Sequence, residues 1–293
     1  MSHATAAASP ARGAVLILLA GVGLSFGGLI VRHIAVADDW QIVFYRSASV
    51  AVALLMLLVL RDRGAFAATF RRAGLPGLVG GSAIAVSMIT FILSVNATTV
   101  ANTLFLFAAA PIMAAALGWT LLRETVTRAT WLAMAAALAG VAIMVWQGFA
   151  VGSPFGNLMG LVTALGFAVF TVALRFGRAT DMMPAVCLAG VISAAVAAAV
   201  SFRSGAGLAI PQGEVALCVL YGALIAAGLA VYTVGGRAVA AAVLALLSLT
   251  EVLLGPVWVW LFLGEVPHPL TLVGGGVLLA AIAGQAVASM GRP

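Results

Sequence analysis

Charged residues are scarce in this chain of 293 residues. It has 14 arginines, no lysine and 8 acidic residues, so only 8% of its residues carry a charge. An average soluble domain is about 25% charged and roughly 45–50% apolar, whereas 64% of this chain is apolar. So few charges do not cover the surface of a water-soluble protein, and the high hydrophobicity also excludes intrinsic disorder. The class that remains is a membrane protein that crosses the bilayer several times.

Residues that form disulfides or bind metals are few as well. The only two cysteines, Cys187 and Cys218, lie inside apolar runs, where a free cysteine acts as a small hydrophobic residue. They indicate neither a disulfide framework nor a metal site. The sequence also lacks a P-loop with its Gly-Lys-Ser/Thr, so ATP-driven pumping by this chain alone is not expected. We therefore expect no metal, no cofactor and, because no compact basic face is evident, no nucleic-acid partner.

Ten apolar runs indicate ten transmembrane helices. A helix needs about 20 apolar residues to cross a bilayer, and lipid offers no partner for backbone hydrogen bonds, so each run is predicted to be helical. The runs cover residues 13–31, 40–60, 74–95, 100–122, 129–147, 156–175, 183–202, 214–235, 239–263 and 269–289. The predicted fold class is therefore all-α, a polytopic membrane protein.

The arginines are unequally divided between the two sides of this topology. With the N-terminus placed inside, the inner segments hold 11 arginines, the outer loops hold only Arg32 and Arg203, and Arg46 lies within the second span. Arginine and lysine are enriched in the cytoplasmic segments of membrane proteins. We therefore expect both termini to be cytoplasmic and the chain to reside in a bacterial-type inner membrane.

The two halves of the chain resemble each other weakly. Four residues recur 141 positions later: Trp119, Leu122, Glu124 and Thr130 as Trp260, Leu263, Glu265 and Thr271. Three more recur 143 positions later: Gly13, Gly23 and Arg32 as Gly156, Gly166 and Arg175. Each half, residues 1–150 and 151–293, has five spans, so the second half must cross the membrane with opposite polarity. An inverted-topology repeat around a central cavity is typical of secondary transporters.

Several of these segments carry a family resemblance. They are Phe44-Tyr45-Arg46 in the second span, Gly118-Trp119 to Arg123-Glu124 at the end of the fourth, and Trp258 to Gly264-Glu265 at the end of the ninth. With them the chain resembles the EamA-type branch of the drug/metabolite transporter superfamily, and within it the YddG-type exporters of aromatic amino acids. Pro111 stands where such families commonly have a proline, but the second half has Val252 at the equivalent position and Pro256 instead.

The resemblance implies export of small organic solutes through a central cavity. The cavity would be lined mostly by spans 1–4 and 6–9, with spans 5 and 10 at the periphery. Together with the repeat, it predicts a secondary transporter, not an enzyme, that exports amino acids, including aromatic ones, by alternating access. Its partners would be a small-molecule substrate and the lipid bilayer, and the chain would be a monomer or a weak homodimer.

Glu251 and Arg46 are the most informative candidate site residues. Glu251 lies about 18 Å deep in the ninth span at 1.5 Å per residue, where a carboxylate costs about 2.5–3.5 kcal/mol on insertion scales. It is predicted to bind a substrate amine or a proton, or to hold a neighbouring helix. Arg46 lies six residues inside the outer end of its span. It is expected to snorkel to the interface, to pair with Glu251 or to bind a substrate carboxylate.

Further candidates are polar or aromatic side chains at helical spacing. The complete predicted substrate site is Phe26, Arg46, Ser87, Thr90, Asn102, Phe105, Phe167, Thr171, Tyr221, Ser248, Glu251 and Trp258. Uncharged hydroxyl, amide and aromatic groups suit amphipathic zwitterions or neutral metabolites, but such groups also join helices to one another. Pro111 and Pro256 are predicted to break the helices of spans 4 and 9, either as hinges or as static packing kinks.

Two alternative functions remain open at this point. One is uptake or exchange of another metabolite or drug. The other is an intramembrane serine hydrolase, because residues 23–27 match the G-x-S-x-G motif with Ser25 as the nucleophile. That motif requires a strand-to-helix turn and a triad of partners, whereas Ser25 lies in an apolar run and the histidines are His3, His33 and His268.

Overall fold

The computed structural model describes residues 10–62, 65–98, 100–146, 153–264 and 268–290. His3, Arg63, Glu265 and Arg292 lie outside these ranges. The described residues form α-helices and no strand, which confirms the all-α prediction. The helices are α1 (Pro10–Leu24), α2 (Gly27–Val31), α3 (Asp39–Asp62), α4 (Phe66–Ala97), α5 (Val100–Phe107), α6 (Ala110–Leu122), α7 (Arg128–Val145), α8 (Pro154–Phe176), α9 (Met183–Arg203), α10 (Gln212–Gly235), α11 (Ala241–Ser248), α12 (Thr250–Leu263) and α13 (Pro269–Met290).

These helices make ten spans that are long and apolar enough to cross a membrane, as predicted. Spans 1, 4 and 9 are each built from two consecutive helices, namely α1 with α2, α5 with α6, and α11 with α12. The helix of span 3 carries an additional segment of residues 66–73, which the non-helical Gly74 separates from the apolar helix that hydropathy indicated from residue 74 on. Its first turns precede a kink at Gly74, whose φ of +53° is a backbone conformation that favours glycine.

Successive spans run in opposite directions between two sides of the protein. We call the side where α1 begins and α13 ends the terminus side, and the opposite one the far side. Span 1 therefore begins on the terminus side, whereas span 6 begins on the far side at Pro154. The contacts pair spans of the two halves reciprocally: α4 of span 3 packs on α8 of span 6, and α10 of span 8 packs on α1 of span 1.

The helices of one half pack mainly against those of the other. Span 2 packs on span 7, and α7 of span 5 packs on α13 of span 10. Glycines allow this last approach, because a Cβ at Gly140 would lie 2.8 Å from the carbonyl oxygen of Gly274. Gly274 of span 10 thus serves packing within the monomer. On the outside, Leu60, Leu132 and Trp119 are among the large apolar residues that remain exposed, as expected for surfaces that face lipid.

The breaks in spans 4 and 9 occupy the same position in the repeat. Span 4 is interrupted at Ala108 and Ala109, and the first turn of α6 contains Pro111. Span 9 is interrupted 141 residues after Ala108, at Leu249. The helix break that the sequence analysis placed at Pro256 therefore lies seven residues earlier, and Pro256 is inside α12.

Side-chain hydroxyls on both sides of the break in span 9 bond to backbone carbonyls. Ser248 donates a hydrogen bond to the carbonyl of Ala245 at 2.7 Å, and Thr250 donates one to the carbonyl of Leu247 at 2.8 Å. Such local bonds compete with the backbone hydrogen bonds of a helix and bend it. Leu249 accordingly bonds back only three residues, to the carbonyl of Leu246.

Candidate functional site

A cavity of about 470 Å³ lies between the two halves and reaches the far side. This volume lies in the range of small-molecule sites, roughly 300–1,000 Å³. Its mouth includes the exposed residues Arg32 and His268. The lining residues come from all spans except span 7: Leu24, Ser25, Gly27, Gly28, Arg32, Arg46, Ser87, Met88, Phe91, Leu104, Phe107, Met144, Val145, Thr163, Phe167, Tyr221, Ile225, Leu229, Glu251, Val252, Gly255, Pro256, His268 and Thr271.

Arg46 is a buried charge on the cavity wall. Only 1% of the residue is exposed, so the expected snorkelling to the interface is wrong. One guanidinium nitrogen donates a 2.7 Å hydrogen bond to the carbonyl of Met88, and the guanidinium lies 5.3 Å from the ring centroid of Tyr221. Within the described part of the chain, its Nε has no hydrogen-bond partner. A buried donor without a partner costs free energy, which an anionic group in the cavity would recover.

Glu251 places a carboxyl group on the same cavity. It lies in the first turn of α12, next to the break at Leu249. No ion pair joins Glu251 to Arg46, nor does the Glu251 carboxylate have a hydrogen-bond partner, among the residues that the structure describes. Tyr221 lies within electrostatic range of both groups. The cavity therefore presents a guanidinium and a carboxyl group that do not contact each other directly.

The rest of the wall is mostly apolar. Phe167 packs edge-on against Phe107, with ring centroids 5.1 Å apart, and both rings line the cavity together with Phe91. Ser87 and Thr163 are the hydroxyl-bearing residues near them, and the Ser87 hydroxyl donates to the Thr163 carbonyl at 2.9 Å. The arrangement accommodates a solute that has a charged end and an apolar body.

Trp258, Ser25 and Phe26 join the broken spans 1 and 9 beside the cavity. The Trp258 indole donates a 2.6 Å hydrogen bond to the Ser25 hydroxyl and stacks on the Phe26 ring with centroids 4.5 Å apart. The Ser25 hydroxyl itself donates to the carbonyl of Val22. Ser25 lies between two helices rather than on a strand-to-helix turn, and neither of these partners is a base.

On the terminus side the cavity is closed by a buried layer. The layer includes Phe170 and Tyr232, each less than 2% exposed, whose ring centroids lie 6.4 and 5.6 Å from that of Phe167 in the cavity wall. Tyr232 stacks on Phe170, with ring centroids 6.1 Å apart.

Beyond this layer, Arg175 and Glu124 form an ion pair with 2.5 Å between Nε and Oε1. This pair connects span 6 to the end of span 4. The second Glu124 oxygen accepts a hydrogen bond from the backbone nitrogen of Ala241, where span 9 begins.

A second, much smaller pocket of about 40 Å³ lies by Glu124 on the terminus side. Its lining includes Ala114, Ala115 and Thr130. Their positions 141 residues later are Gly255, Pro256 and Thr271, which line the large cavity. Equivalent positions of the repeat therefore line an open space on one side of the protein and a collapsed one on the other.

Five of the twelve predicted substrate residues line the cavity. They are Arg46, Ser87, Phe167, Tyr221 and Glu251. The other seven do not line it: Phe26, Thr90, Asn102, Phe105, Thr171, Ser248 and Trp258.

Several of those seven residues instead hold helices together. Thr90 bonds the Thr163 hydroxyl at 2.8 Å, Thr171 bonds the Tyr232 hydroxyl at 3.2 Å, and Asn102 donates to Asn157. The sequence analysis missed Met88, Phe91, Leu104, Phe107, Thr163 and Thr271 as lining residues. Phe91 directly follows the predicted Thr90, and Leu104 directly precedes the predicted Phe105. A small error in the predicted rotation of the two helices therefore explains why these two residues were missed.

Spans 5 and 10 are not wholly peripheral. Met144 and Val145 from span 5, and Thr271 from span 10, line the cavity near its mouth. This corrects the expectation that spans 5 and 10 are peripheral and that span 7 is among the lining spans, since span 7 contributes no residue to the wall. No cluster of three or more metal-ligating side chains occurs within the described ranges.

Comparisons with known proteins agree with this architecture. Residues 11–146 match the model of the EamA-like transporter family, so the first five-span half is similar to a family of membrane transporters. No curated protein matches the chain. Among solved structures 29 chains match. One crystal structure superposes with a TM-score of 0.81 at 13% sequence identity, over 97% of this chain and 100% of that one. At this identity the likeness shows the fold alone.

Proposed function

We propose that the protein is a secondary transporter that moves small organic solutes across a membrane by alternating access. The observation that carries this proposal is a difference in the size of the space bordered by residues 141 positions apart in the sequence. Gly255, Pro256 and Thr271 border a cavity of about 470 Å³, whereas Ala114, Ala115 and Thr130 border a pocket of about 40 Å³. In an inverted repeat, the first half can adopt the conformation of the second, and the second that of the first. The open cavity then closes, and the collapsed pocket on the other side of the membrane opens.

The structure then corresponds to the state open to the far side. Because the arginines favour a cytoplasmic terminus side, we propose that the cavity faces outward here and that the membrane is a bacterial-type inner membrane. The terminus side would open when Glu124 separates from Arg175 and the layer around Tyr232 parts. The solute bound between Arg46 and Glu251 would then be exposed to the cytoplasm.

The two separated charges favour a zwitterionic solute with an apolar body. A substrate carboxylate would accept a hydrogen bond from the unpartnered Nε of Arg46. A substrate ammonium group would donate hydrogen bonds to the Glu251 carboxylate, which otherwise has no described partner. The phenyl rings of Phe91, Phe107 and Phe167 would contact the apolar part. We therefore propose amino acids, including aromatic ones, as substrates, and export as the direction, as in the exporters that the sequence resembles.

Flux in liposomes tests this function. Purified protein should move labelled amino acids down an imposed gradient with a rate that saturates, and a proton gradient should drive net movement. Flux that does not saturate would indicate a channel, and accumulation only in the opposite direction would indicate an importer or exchanger. Flux should persist after Ser25→Ala. Loss of flux accompanied by Ser25-dependent cleavage of an ester or peptide would favour the hydrolase instead.

A further inference from the structure

Two glycines on the cavity wall have no structural reason to be glycine. A Cβ built on Gly28 or Gly255 would meet no atom within 4 Å, and both residues line the cavity. Neither has a positive φ, so their backbones do not require glycine. Gly27 is different, because its Cβ would lie 2.7 Å from the Tyr221 ring. A glycine within a helix is less stable than an alanine there, and neither close packing nor backbone geometry explains glycine at these two positions.

Gly255 is the better placed of the two. It lies four residues after Glu251 in α12, so the two residues share one face of the helix and stand one turn apart. A side chain at position 255 would project into the space directly on the mouth side of the Glu251 carboxylate. The equivalent residue of the first half is Ala114, which is fully buried in the collapsed pocket.

We propose that Gly255 sets the size limit of the substrate, by leaving room beside Glu251 for a ring-sized apolar side chain. This inference rests on the proposed function, since it assigns a role to one position of the same cavity. The substrate's charged end would be held by Arg46 and Glu251, and its apolar body would contact the bare backbone of α12 at Gly255. Gly28, at the mouth on α2, enlarges the same cavity.

Amino acids of increasing size in liposomes test the proposal. Alanine, leucine, phenylalanine and tryptophan are compared in the wild type and in Gly255→Ala and Gly255→Leu. A misfit of a few carbon atoms in a pocket changes selectivity by about 10–200-fold. Gly255→Leu should therefore lower the ratio of tryptophan to alanine kcat/KM at least tenfold, with Gly255→Ala intermediate. An equal loss for all four substrates, or no change in the ratio, overturns the proposal.

Gly276→Leu is the matched control. Gly276 is exposed on α13, does not line the cavity and has no neighbour within 4 Å of a built Cβ. This substitution should leave the selectivity ratio unchanged. A selectivity shift of the same size in Gly276→Leu would overturn the assignment to Gly255.

A labelling experiment separates this inference from the proposed function. If the wild type moves none of the four amino acids, the amino acid proposal fails on its own. Gly255→Cys should still react with a small water-soluble maleimide from the far side, and at least tenfold more slowly with a bulky one. Gly276→Cys should not react from the aqueous phase. Equal reaction of Gly255→Cys with both reagents, or no reaction at all, refutes a size-limiting position there.

Discussion

The ion pair between Glu124 and Arg175 should hold the terminus side closed, and Glu124→Gln tests this. The two side chains are 21% and 17% exposed, and 2.5 Å separates Arg175 Nε from Glu124 Oε1. Exposed pairs contribute about 0–1 kcal/mol, and removing one partner of a fully buried pair costs about 3–5 kcal/mol. A mostly buried pair whose carboxylate becomes an amide should lose about 1–2 kcal/mol, because the amide still accepts a weaker hydrogen bond.

This loss of free energy shifts the equilibrium between the closed and the open terminus side only if the ion pair is broken in the open conformation. A change of 1–2 kcal/mol shifts such a balance by roughly 5–30-fold. The assay is the reaction rate of a cysteine at position 114 with an impermeant maleimide added from the terminus side. Ala114 is fully buried in the closed state and lines the small pocket. Cys187 and Cys218, both buried, are replaced by alanine in the background.

We expect Glu124→Gln to raise the reaction rate of Ala114→Cys about 5–30-fold. The exchanged pair Glu124→Arg with Arg175→Glu should bring the rate back toward that of the parent. Glu214→Gln is the control, because this carboxylate also accepts backbone hydrogen bonds, but from residues 35–37 on the far side. An unchanged rate in a folded Glu124→Gln protein, or an equal increase in Glu214→Gln, would refute the argument that this pair closes the terminus side.

Three further substitutions test other parts of the structure. Glu251→Gln removes the anion of the cavity, so efflux driven by a proton gradient should fall at least tenfold and lose its dependence on pH; a normal pH profile would reduce Glu251 to a structural role. Arg46→Lys keeps the charge but not the planar fork that binds a carboxylate at two points, so KM should rise about tenfold in liposome flux assays, and an unchanged KM would contradict carboxylate binding. Gly140→Leu forces a side chain into the carbonyl of Gly274, so thermal unfolding in detergent should occur at a clearly lower temperature. Gly284→Leu, at an exposed position with no neighbour within 4 Å of a built Cβ, should leave that temperature nearly unchanged.

Hydropathy predicted the spans closely because lipid imposes a strong constraint. A chain in the bilayer must satisfy its backbone hydrogen bonds internally, so apolar length translates directly into a helix. The early start of α4 escaped this reasoning, since Arg71 and Arg72 make its first turns polar. The non-helical backbone of Gly74 separates those turns from the span, so the apolar helix itself begins where hydropathy placed it.

The cavity wall was harder to predict because hydropathy does not fix the rotation of a helix. Ser87, Thr90 and Ser94 share one helical face, yet only Ser87 lines the cavity. Ser94 instead bonds Thr103 at 2.8 Å. The rotation of α4 is set by its contact with α8, where a Cβ at Gly166 would lie 2.7 Å from the Ala83 carbonyl. Such a contact between residues distant in sequence has no local signature.

The two breaks at one position of the repeat differ in how readily they can straighten. In span 4 the break is followed by Pro111, whose ring permanently removes a backbone donor. In span 9 the next proline, Pro256, lies seven residues beyond the break, and the flanking Ser248 and Thr250 make hydroxyl bonds that can exchange for backbone bonds without a covalent obstacle. Span 4 therefore stays bent in any conformation, whereas α12 is free to realign with α11. Because α12 carries Glu251 and Gly255, its realignment would move the charged and the size-limiting positions together, which is the movement that closing the far side around a bound solute requires.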